Sequence, residues 1–385
     1  MMKRCNFKLT SLLVLISVLT AAVSCTKEFN FGFKDLCLYH PHTAPVKVNV
    51  DWDNFRHIEE PSGMTVYVWP QNDVDVMSRF VTHKIDAVTL DLQAGYFHAF
   101  VFNQSDTEYA TIEFYNLETY EEAEARVKQT KSAAWYSTKN PDTKLGLEPE
   151  WLTIDCIENI EVTEEMVEIA EQEYLASRTQ AKAKTKAKAA KTKSNTKSLN
   201  ELGPLTPTSI IKKLDIYIHI DNLFFLKSAV AALEGMAEGC YIASGQTTQN
   251  QIAHPLESWT RVYALDENGK EDKMKGYIKT TITTFGTPST HTGLPEDNNL
   301  YVKFLLVDNK TVLTMNLPVG DLVADLNDYD GTNLDKNGDP IWPELHINWP
   351  EPLPIVVPEG ESEGGFNVGV GSWGDNEIVT EIPLM

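Results

Sequence analysis

The thiol of Cys25 is the group whose surroundings in the sequence predict the most specific chemistry. An apolar run from Leu9 through Val23 follows the basic residues Lys3 and Arg4, and Ala22-Val23-Ser24 stands immediately before this cysteine. A basic start, an apolar run and small residues at its end are typical of a secretory signal peptide, and the run is short for a transmembrane helix. This ending resembles a lipobox, although alanine stands at position 22 where leucine is usual. We therefore predict a signal peptide over residues 1–24 and acylation of the Cys25 sulfur.

Acylation of Cys25 would make the amino terminus a membrane anchor. Each buried CH₂ group contributes about 0.8 kcal/mol to membrane binding, so the two or three acyl chains of a mature lipoprotein hold a protein stably. Residues 25–45 would form an anchor segment ahead of the first domain. The alternative is an ordinary secretory signal with Cys25 merely nearby, and in either case we expect the protein to leave the cytoplasm.

The segment from Asp328 to Asp339 is dense in side-chain oxygens and could fold around calcium. Asp335 and Asp339 fall on ligand positions of an EF-hand loop, but Pro340 stands where that loop needs glycine and His346 stands where it needs glutamate. An acidic surface loop is the alternative, and otherwise we expect no metal site. The weak calcium candidates are Asp328, Asp330, Asp335 and Asp339.

No pattern of catalytic residues stands out. Residues 369–374 fit the GxGxxG pattern of dinucleotide-binding proteins, but only a short tail follows and leaves no helix to receive a phosphate. The sequence contains no GxSxG, HExxH or Walker-type motif. A glycosidase would need two carboxyl groups roughly 5–10 Å apart in a cleft, which no sequence pattern shows. We therefore predict no enzyme and no cofactor.

Composition and charge restrict the number of domains and the classes of partner that the protein can have. Of the 385 residues, 42% are hydrophobic and 23% are charged, and about 360 remain after the predicted cleavage. At roughly 100–200 residues per domain, this length suits two domains with cores of their own. The formal net charge of −22 argues against nucleic acid as a partner and against electrostatic binding to anionic lipid. Cys37, Cys156 and Cys240 have no metal-binding spacing, so we expect mostly buried thiols and leave a disulfide open.

One segment cannot pack into a core. Residues 177–198 are mostly Ala, Lys, Thr and Ser, with eight basic residues and no acidic one. We predict a linker over residues 177–206, which could be helical at its start because Ala and Lys favour helix. It separates an N-terminal domain at 46–176 from a C-terminal domain at 207–385. A basic patch that binds a polyanionic glycan, or a proteolytic site, is the alternative.

Elsewhere, apolar and polar residues alternate with the period of half-buried strands. Gln93-Ala94-Gly95 predicts a tight hairpin between two of these strands. Residues 223–235 are mostly apolar and fit either a helix or a buried strand. The predicted strands are residues 46–52, 64–69, 88–92, 96–102, 214–220, 277–284, 300–308 and 311–317, with a last strand from Glu377.

Two helices are predicted beside these strands. Residues 119–122 fit a capping box that starts a short helix ending near Lys128, and Thr163 can cap a second helix. The apolar face of the second helix would be formed by Val167, Ala170 and Tyr174. Many short strands with turn signals and no βαβ alternation predict a mainly β protein of two β-sandwich domains, joined by the Lys/Ala-rich linker.

Several short motifs resemble those of Bacteroidetes fimbrial-anchor-like lipoproteins, the relatives of minor fimbrial subunits. They occur in the right order in both halves of the chain. The motifs are Val48–Trp52, Pro61–Pro70, Leu92–Tyr96, Phe102–Ser105, Ala232–Ala237 and Gly364–Val368 with Trp373.

The resemblance implies two transthyretin-like or immunoglobulin-like sandwiches and an outer-membrane location at the cell surface through acylated Cys25. It further implies an anchor or accessory subunit of a fimbria-like polymer, with fimbrial subunits as partners joined by β-strand complementation. The tail from Ile378 to Met385 is then either a donor strand or the last strand of its own domain. The alternative is a surface glycan- or ligand-binding lipoprotein without a fimbrial role, in which exposed aromatic rings would line a platform. The candidate rings are those of Trp135, Trp342 and Trp349.

Overall fold

The computed structural model shows a mainly β protein, as predicted from the sequence. Two β-sandwiches are joined by a third, small sheet to which both halves of the chain contribute. The predicted signal peptide, Cys25 and most of the predicted linker lie outside the residues that the structure describes. The described residues are 42–71, 77–131, 133–137, 142–184, 200–359 and 378–381.

Strands far outnumber helices among the described residues. The N-terminal half contains β1 (Ala44–Val50), β2 (Met64–Pro70), β3 (Ser78–Thr82), β4 (Ala87–Leu92), β5 (Gly95–Asn103), β6 (Ile112–Tyr115), β7 (Glu124–Val127) and β8 (Thr153–Val162). The C-terminal half contains β9 (Asn200–Leu205), β10 (Thr208–Ser209), β11 (Lys212–Asp221), β12 (Leu226–Ala237), β13 (Gly239–Tyr241), β14 (Gln251–Leu256), β15 (Thr260–Leu265), β16 (Glu271–Thr284), β17 (Asn299–Leu306), β18 (Thr311–Pro318), β19 (Glu344–Asn348) and β20 (Ile378–Glu381). The α-helices are α1 (Asp53–Arg56), α2 (Ala134–Ser137) and α3 (Glu164–Lys184).

The first β-sandwich packs a three-stranded sheet, in the order β4-β1-β9, against a five-stranded sheet, in the order β10-β8-β5-β2-β3. Alternate residues of each strand face the core between the two sheets, as the period of two requires. Val46 and Val48 of β1 pack there with Val66 and Val68 of β2, and all four are buried. The sequence pattern therefore identified this core correctly.

The five-stranded sheet is buried on both faces. Tyr67 and Trp69 of β2 point away from the first core and pack with Phe100 and Phe102 of β5 in a second hydrophobic cluster. The sequence analysis expected residues 64–69 to be half-buried, and this expectation was wrong. A further sheet covers the outer face, and its strands come from distant parts of the chain.

That small sheet joins the two halves of the molecule. Its order is β13-β7-β6, so β7 of the N-terminal half pairs with β13 of the C-terminal half. Beside it, the buried carboxylate of Glu238 accepts hydrogen bonds from Lys144 at 3.1 Å and from Gln129 at 3.2 Å. Trp151 and Trp342 also pack against each other across the halves, with ring centroids 5.5 Å apart and an interplanar angle of 31°. The two sandwiches are therefore held together by backbone pairing as well as by side chains.

The second β-sandwich is built from the C-terminal half. A four-stranded sheet, in the order β15-β16-β11-β19, faces a five-stranded sheet, in the order β14-β12-β17-β18-β20. Ile216 and Ile218 of β11 pack in the core with Val302 and Phe304 of β17. Residues 223–235, which the sequence left ambiguous, form one short 3-10 turn and then most of the long strand β12.

The predicted linker needs a correction at its C-terminal end. Residues 200–205 form β9, which pairs in parallel with β1 and completes the smaller sheet of the first sandwich. Residues 208–209 form β10, which pairs with β8 of the larger sheet. The start of the linker is helical, as expected, because α3 continues to Lys184. The chain therefore returns to the first sandwich before it builds the second.

One of the two predicted helices is wrong. Residues 124–127, expected to be helical, form β7, in which Ala125 and Val127 alternate with Glu124 and Arg126, because β6 and β13 pair with it on its two sides. The second helix is present as α3, and the Thr163 hydroxyl accepts a hydrogen bond from the amide of Met166 at 3.3 Å. Among the described residues, no helix combines the length and the apolar character that a membrane span requires.

Candidate binding surface

The outer face of the four-stranded sheet carries a connected set of interacting polar side chains. Strand β11 alternates strictly, with Leu214, Ile216 and Ile218 buried and the intervening side chains partly exposed. We call the outward-facing set the polar face. Its members are Asp215, Tyr217, His219, Tyr277, Lys279, Thr281, Glu344 and His346.

Backbone register arranges the polar face in rows across three strands. Tyr217 of β11 lies opposite Lys279 of β16 on one side and opposite His346 of β19 on the other. The next row places His219 opposite Tyr277. Directly opposed side chains on one sheet face have Cβ atoms about 4.5–5.5 Å apart, so each row brings its members into contact.

A continuous series of hydrogen bonds crosses the polar face. Lys279 Nζ lies 3.2 Å from a carboxylate oxygen of Asp215 and donates to the Tyr217 hydroxyl at 2.8 Å. That hydroxyl donates to Glu344 Oε1 at 3.2 Å. The second oxygen of Glu344 lies 3.1 Å from His346 Nε2. Each polar group is therefore held in place by a neighbour on another strand.

The series ends in a pair of histidines. His346 Nδ1 lies 3.1 Å from His219 Nε2. The His346 ring also stacks on the Tyr217 ring, with centroids 4.5 Å apart and an interplanar angle of 9°. Because these rings cover one another, the polar face offers ring edges, nitrogens and a hydroxyl rather than open aromatic faces.

The charges at the other end of the series are balanced. Burial of Asp215 raises its carboxyl pKa, but the hydrogen bond from Thr281 and the charges of Lys213 and Lys279 outweigh burial, so the pKa is lowered overall. The hydrogen bond to Tyr217 raises the pKa of Lys279, and Asp215 raises it further. Both groups therefore stay ionised at neutral pH and stabilise each other.

The aromatic platform predicted for glycan binding is not formed by the three tryptophans named for it. Trp349 is only 6% exposed and packs on Phe304 with centroids 4.3 Å apart, so its expected exposure was wrong. Trp342 is half-buried against Trp151. Trp135 stacks on Tyr301, and its indole nitrogen donates to Glu257 at 2.9 Å.

The predicted calcium loop uses its carboxylates to close its own turns. Asp335 accepts hydrogen bonds from the backbone amides of Asn337 at 2.7 Å and Asp339 at 2.9 Å, and these bonds lower its carboxyl pKa. Asp330 accepts from the backbone amide of Thr332 at 2.9 Å. Asp328 lies at the end of a 3-10 turn. Within the described residues, no group of three or more His, Cys, Asp or Glu side chains is placed to hold a metal.

Two of the predicted thiols lie in the described part of the chain. Cys240 is buried and Cys156 partly buried, and neither forms a disulfide in the structure. Burial raises the pKa of Cys156 to about 11 and that of Cys240 to about 12, so both are neutral thiols at neutral pH. Cys25 and Cys37 lie outside the described residues.

The tail contributes one strand to the second sandwich. Residues 378–381 form β20, which pairs in parallel with β18 from Thr311 to Thr314 at the edge of the five-stranded sheet. Parallel pairing at this edge is distinctive, because the other described pairs in the same sheet are antiparallel. Residues 382–385, like the GxGxxG-like segment at 369–374, lie outside the described part.

Comparison with protein families identifies a match over more than half of the chain. Residues 30–257 match the family described as a domain of unknown function (DUF5119). The chain belongs to this family. The match covers the first sandwich and ends within the second, directly after β14.

Solved structures similar to this DUF5119 member include proteins from Bacteroides and Porphyromonas. A “putative adhesin” from Bacteroides ovatus shares 15% sequence identity, with 80% of this chain and 94% of that chain covered and a TM-score of 0.48. The fimbrial anchor protein Mfa2 from Porphyromonas gingivalis shares 10% identity, with 80% and 90% covered and a TM-score of 0.40. A protein of the kind that the sequence motifs resemble is therefore among them. No curated protein sequence matches the chain.

Two glycines in the motifs behind that resemblance have structural reasons. Gly235 lies at a bulge of β12 with φ of +79°, and a Cβ atom there would meet the carbonyl oxygen of Asp297. Gly95 begins β5 with φ of +152°, directly after the predicted turn. The hairpin expected there is wrong, because β4 pairs with β1 of the smaller sheet whereas β5 pairs with β2 and β8 of the larger one, so the turn connects the two sheets. This turn lines a cavity of about 230 Å³ at the end of the first sandwich, together with Val68 and Pro70.

Proposed function

We propose that the protein is a lipid-anchored subunit of the cell surface, non-enzymatic, that serves as an anchor or accessory subunit of a fimbria-like polymer. One observation carries the proposal furthest: the edge of β18 accepts an extended strand by parallel backbone pairing. Main-chain pairing at a sheet edge needs little sequence specificity, so an edge that takes the chain's own tail can take an equivalent segment of a neighbouring subunit.

The contacts between the two sandwiches support a role in which the protein resists the pull of an attached polymer. The pairing of β7 with β13 and the contacts of Glu238 with Lys144 and Gln129 fix one sandwich to the other. An attached polymer would therefore pull on one continuous unit rather than on two domains connected by a single chain.

The membrane attachment in this proposal rests on the sequence around Cys25. The segment from Cys25 to the start of β1 at Ala44 could span at most about 65 Å when fully extended. Acyl chains on Cys25 would hold the protein at a membrane, and the folded part would lie within that distance of the bilayer surface.

Expression of the full-length chain in a Bacteroidetes host tests the anchor. We expect the protein in the outer-membrane fraction together with a fimbrial polymer, loss of membrane attachment in Cys25→Ala, and no change in the control Cys37→Ala. Membrane attachment that survives Cys25→Ala would refute the lipid anchor. Recovery in the membrane without any polymer would favour a ligand-binding lipoprotein, the second candidate, for which the polar face is the supporting observation.

A peptide experiment tests strand addition by itself. We expect a peptide with the sequence of residues 378–385 to bind a chain that ends at residue 359, because that chain presents the β18 edge without β20. The matched control is the same peptide with Val379→Pro, which lacks one backbone donor and should bind more weakly. Equal binding of both peptides, or none, would contradict edge pairing.

A further inference from the structure

We propose that His219 and His346 bind a divalent transition metal ion such as Zn²⁺, through Nε2 of the first and Nδ1 of the second. The two nitrogens face each other at 3.1 Å. Two imidazole ligands at 2.0–2.1 Å from a tetrahedral zinc ion are about 3.4 Å apart, so the observed separation is within a few tenths of an ångström of that spacing. This inference does not depend on the proposed fimbrial role.

Glu344 gives the pair the proton arrangement that a metal needs. Its carboxylate lies 3.1 Å from His346 Nε2 and therefore stabilises a proton on that nitrogen. The other nitrogen, Nδ1, is then unprotonated, and its lone pair is directed at His219. A carboxylate behind a metal-binding histidine is the usual way in which proteins fix the tautomer and raise the basicity of the ligand. The same Glu344 is held in turn by the Tyr217 hydroxyl.

The two rings are oriented before any metal binds. His346 is stacked on Tyr217, and His219 packs against Tyr277 with centroids 5.6 Å apart. Their strands β11 and β19 are directly paired, with Tyr217 opposite His346 in the register. Rings fixed by packing and backbone pairing lose little conformational freedom on binding, which favours affinity.

The electrostatic setting also favours a cation. The nearest ammonium group of the polar face, on Lys279, is engaged by Asp215 and Tyr217. The formal charge of the whole chain is −22. Overall negative charge raises the concentration of cations at the surface.

Two protein ligands leave open positions on the metal. Because no third His, Cys, Asp or Glu of the described residues completes the group, water or a donor from another molecule would occupy the remaining positions of a tetrahedral ion. The site is therefore suited to an exchangeable metal rather than to a closed structural one. A simple hydrogen bond between the two rings is the competing explanation of the same distance.

Calorimetric titration of the purified chain, beginning at residue 26, with ZnCl₂ separates the two explanations. We expect saturable binding in which one equivalent is lost in both His219→Ala and His346→Ala. Glu344→Gln should weaken that equivalent about tenfold, since loss of such a supporting carboxylate costs 10–100-fold in metal affinity. The matched control is His83→Ala, an exposed histidine outside the polar face, which should leave the titration unchanged.

Histidine side-chain ¹⁵N NMR of the unaltered protein gives a second measurement, which does not depend on whether the substituted proteins fold. Zinc should shift Nε2 of His219 and Nδ1 of His346 together, with the same midpoint. Unchanged signals for both nitrogens, or zinc titrations that are identical in the unaltered chain and in folded His219→Ala and His346→Ala, would overturn the proposal and leave a hydrogen-bonded pair.

Discussion

The imidazole of His254 makes the protein's stability depend on pH in a way that one substitution should remove. His254 lies on β14, is fully buried, and neither ring nitrogen has a hydrogen-bond partner of good geometry. Burial lowers its pKa from 6.5 to about 4, and the nearby main chain of Gly146 and Leu147 only partly opposes that shift. The ring is therefore neutral in the folded protein at pH 5, whereas in the unfolded chain it is protonated.

The size of the effect follows from these two values. Because the unfolded state binds the proton more tightly, the free energy of unfolding falls as pH decreases from about 6.5 toward 4. With pKa values of 6.5 and about 4, His254 should lower the free energy of unfolding by about 2 kcal/mol between pH 7 and pH 5. Below pH 4 the loss should level off at about 3 kcal/mol.

Urea unfolding at pH 7 and pH 5, followed by tryptophan fluorescence, measures this difference. We expect His254→Leu to lack the 2 kcal/mol component and to be at least as stable as the unaltered chain at pH 7, because it removes two buried nitrogens without partners. Comparison with the unaltered chain cancels the contributions of other titrating groups. The control is the exposed His57→Leu. An equal loss of stability in the unaltered chain and in His254→Leu would refute the reasoning.

Two substitutions test the packing described above, both by urea unfolding. Trp349→Ala should lower the free energy of unfolding by about 3–5 kcal/mol, because the ring is buried against Phe304; a loss below 1 kcal/mol would indicate an exposed ring. Gly235→Ala should cost more than its control Gly269→Ala, because both have positive φ but only the first would meet the Asp297 carbonyl. The left-handed conformation alone costs about 1–2 kcal/mol, so equal losses would contradict the predicted clash.

The sequence predicted nine of the twenty described strands, because the period of two is a local signal. Residues 88–92 and 311–317, for example, fall within β4 and β18 as observed. It could not show partners that lie far along the chain. Residues 124–127 resemble a helix in isolation, but in the structure they pair as β7 with residues 112–115 and with residues 239–241, and the second partner lies more than a hundred positions later.

Only the β11 part of the polar face could be predicted from the sequence, for the same reason. The alternation of β11 shows that Tyr217 and His219 point outward, but nothing local indicates that β19 pairs with β11 and brings His346 beside them. The sequence instead aligned His346 with an EF-hand position. Parallel pairing over more than a hundred residues has no short-range signature, so the histidine pair could be found only in the structure.

The parallel pairing of β1 with β9 has a consequence for how the chain folds. These strands are about 150 residues apart, so the first sandwich cannot close its smaller sheet until the polypeptide as far as Leu205 is available. Contacts of such high sequence separation make folding slow, because the entropy cost of closing a long loop arises before the packing contacts that offset it can form. A chain that emerges from its amino terminus would therefore keep the edge of β1 open for most of its synthesis or transport. Fragments that end near residue 176 should fail to reach the native state for the same kinetic and topological reason.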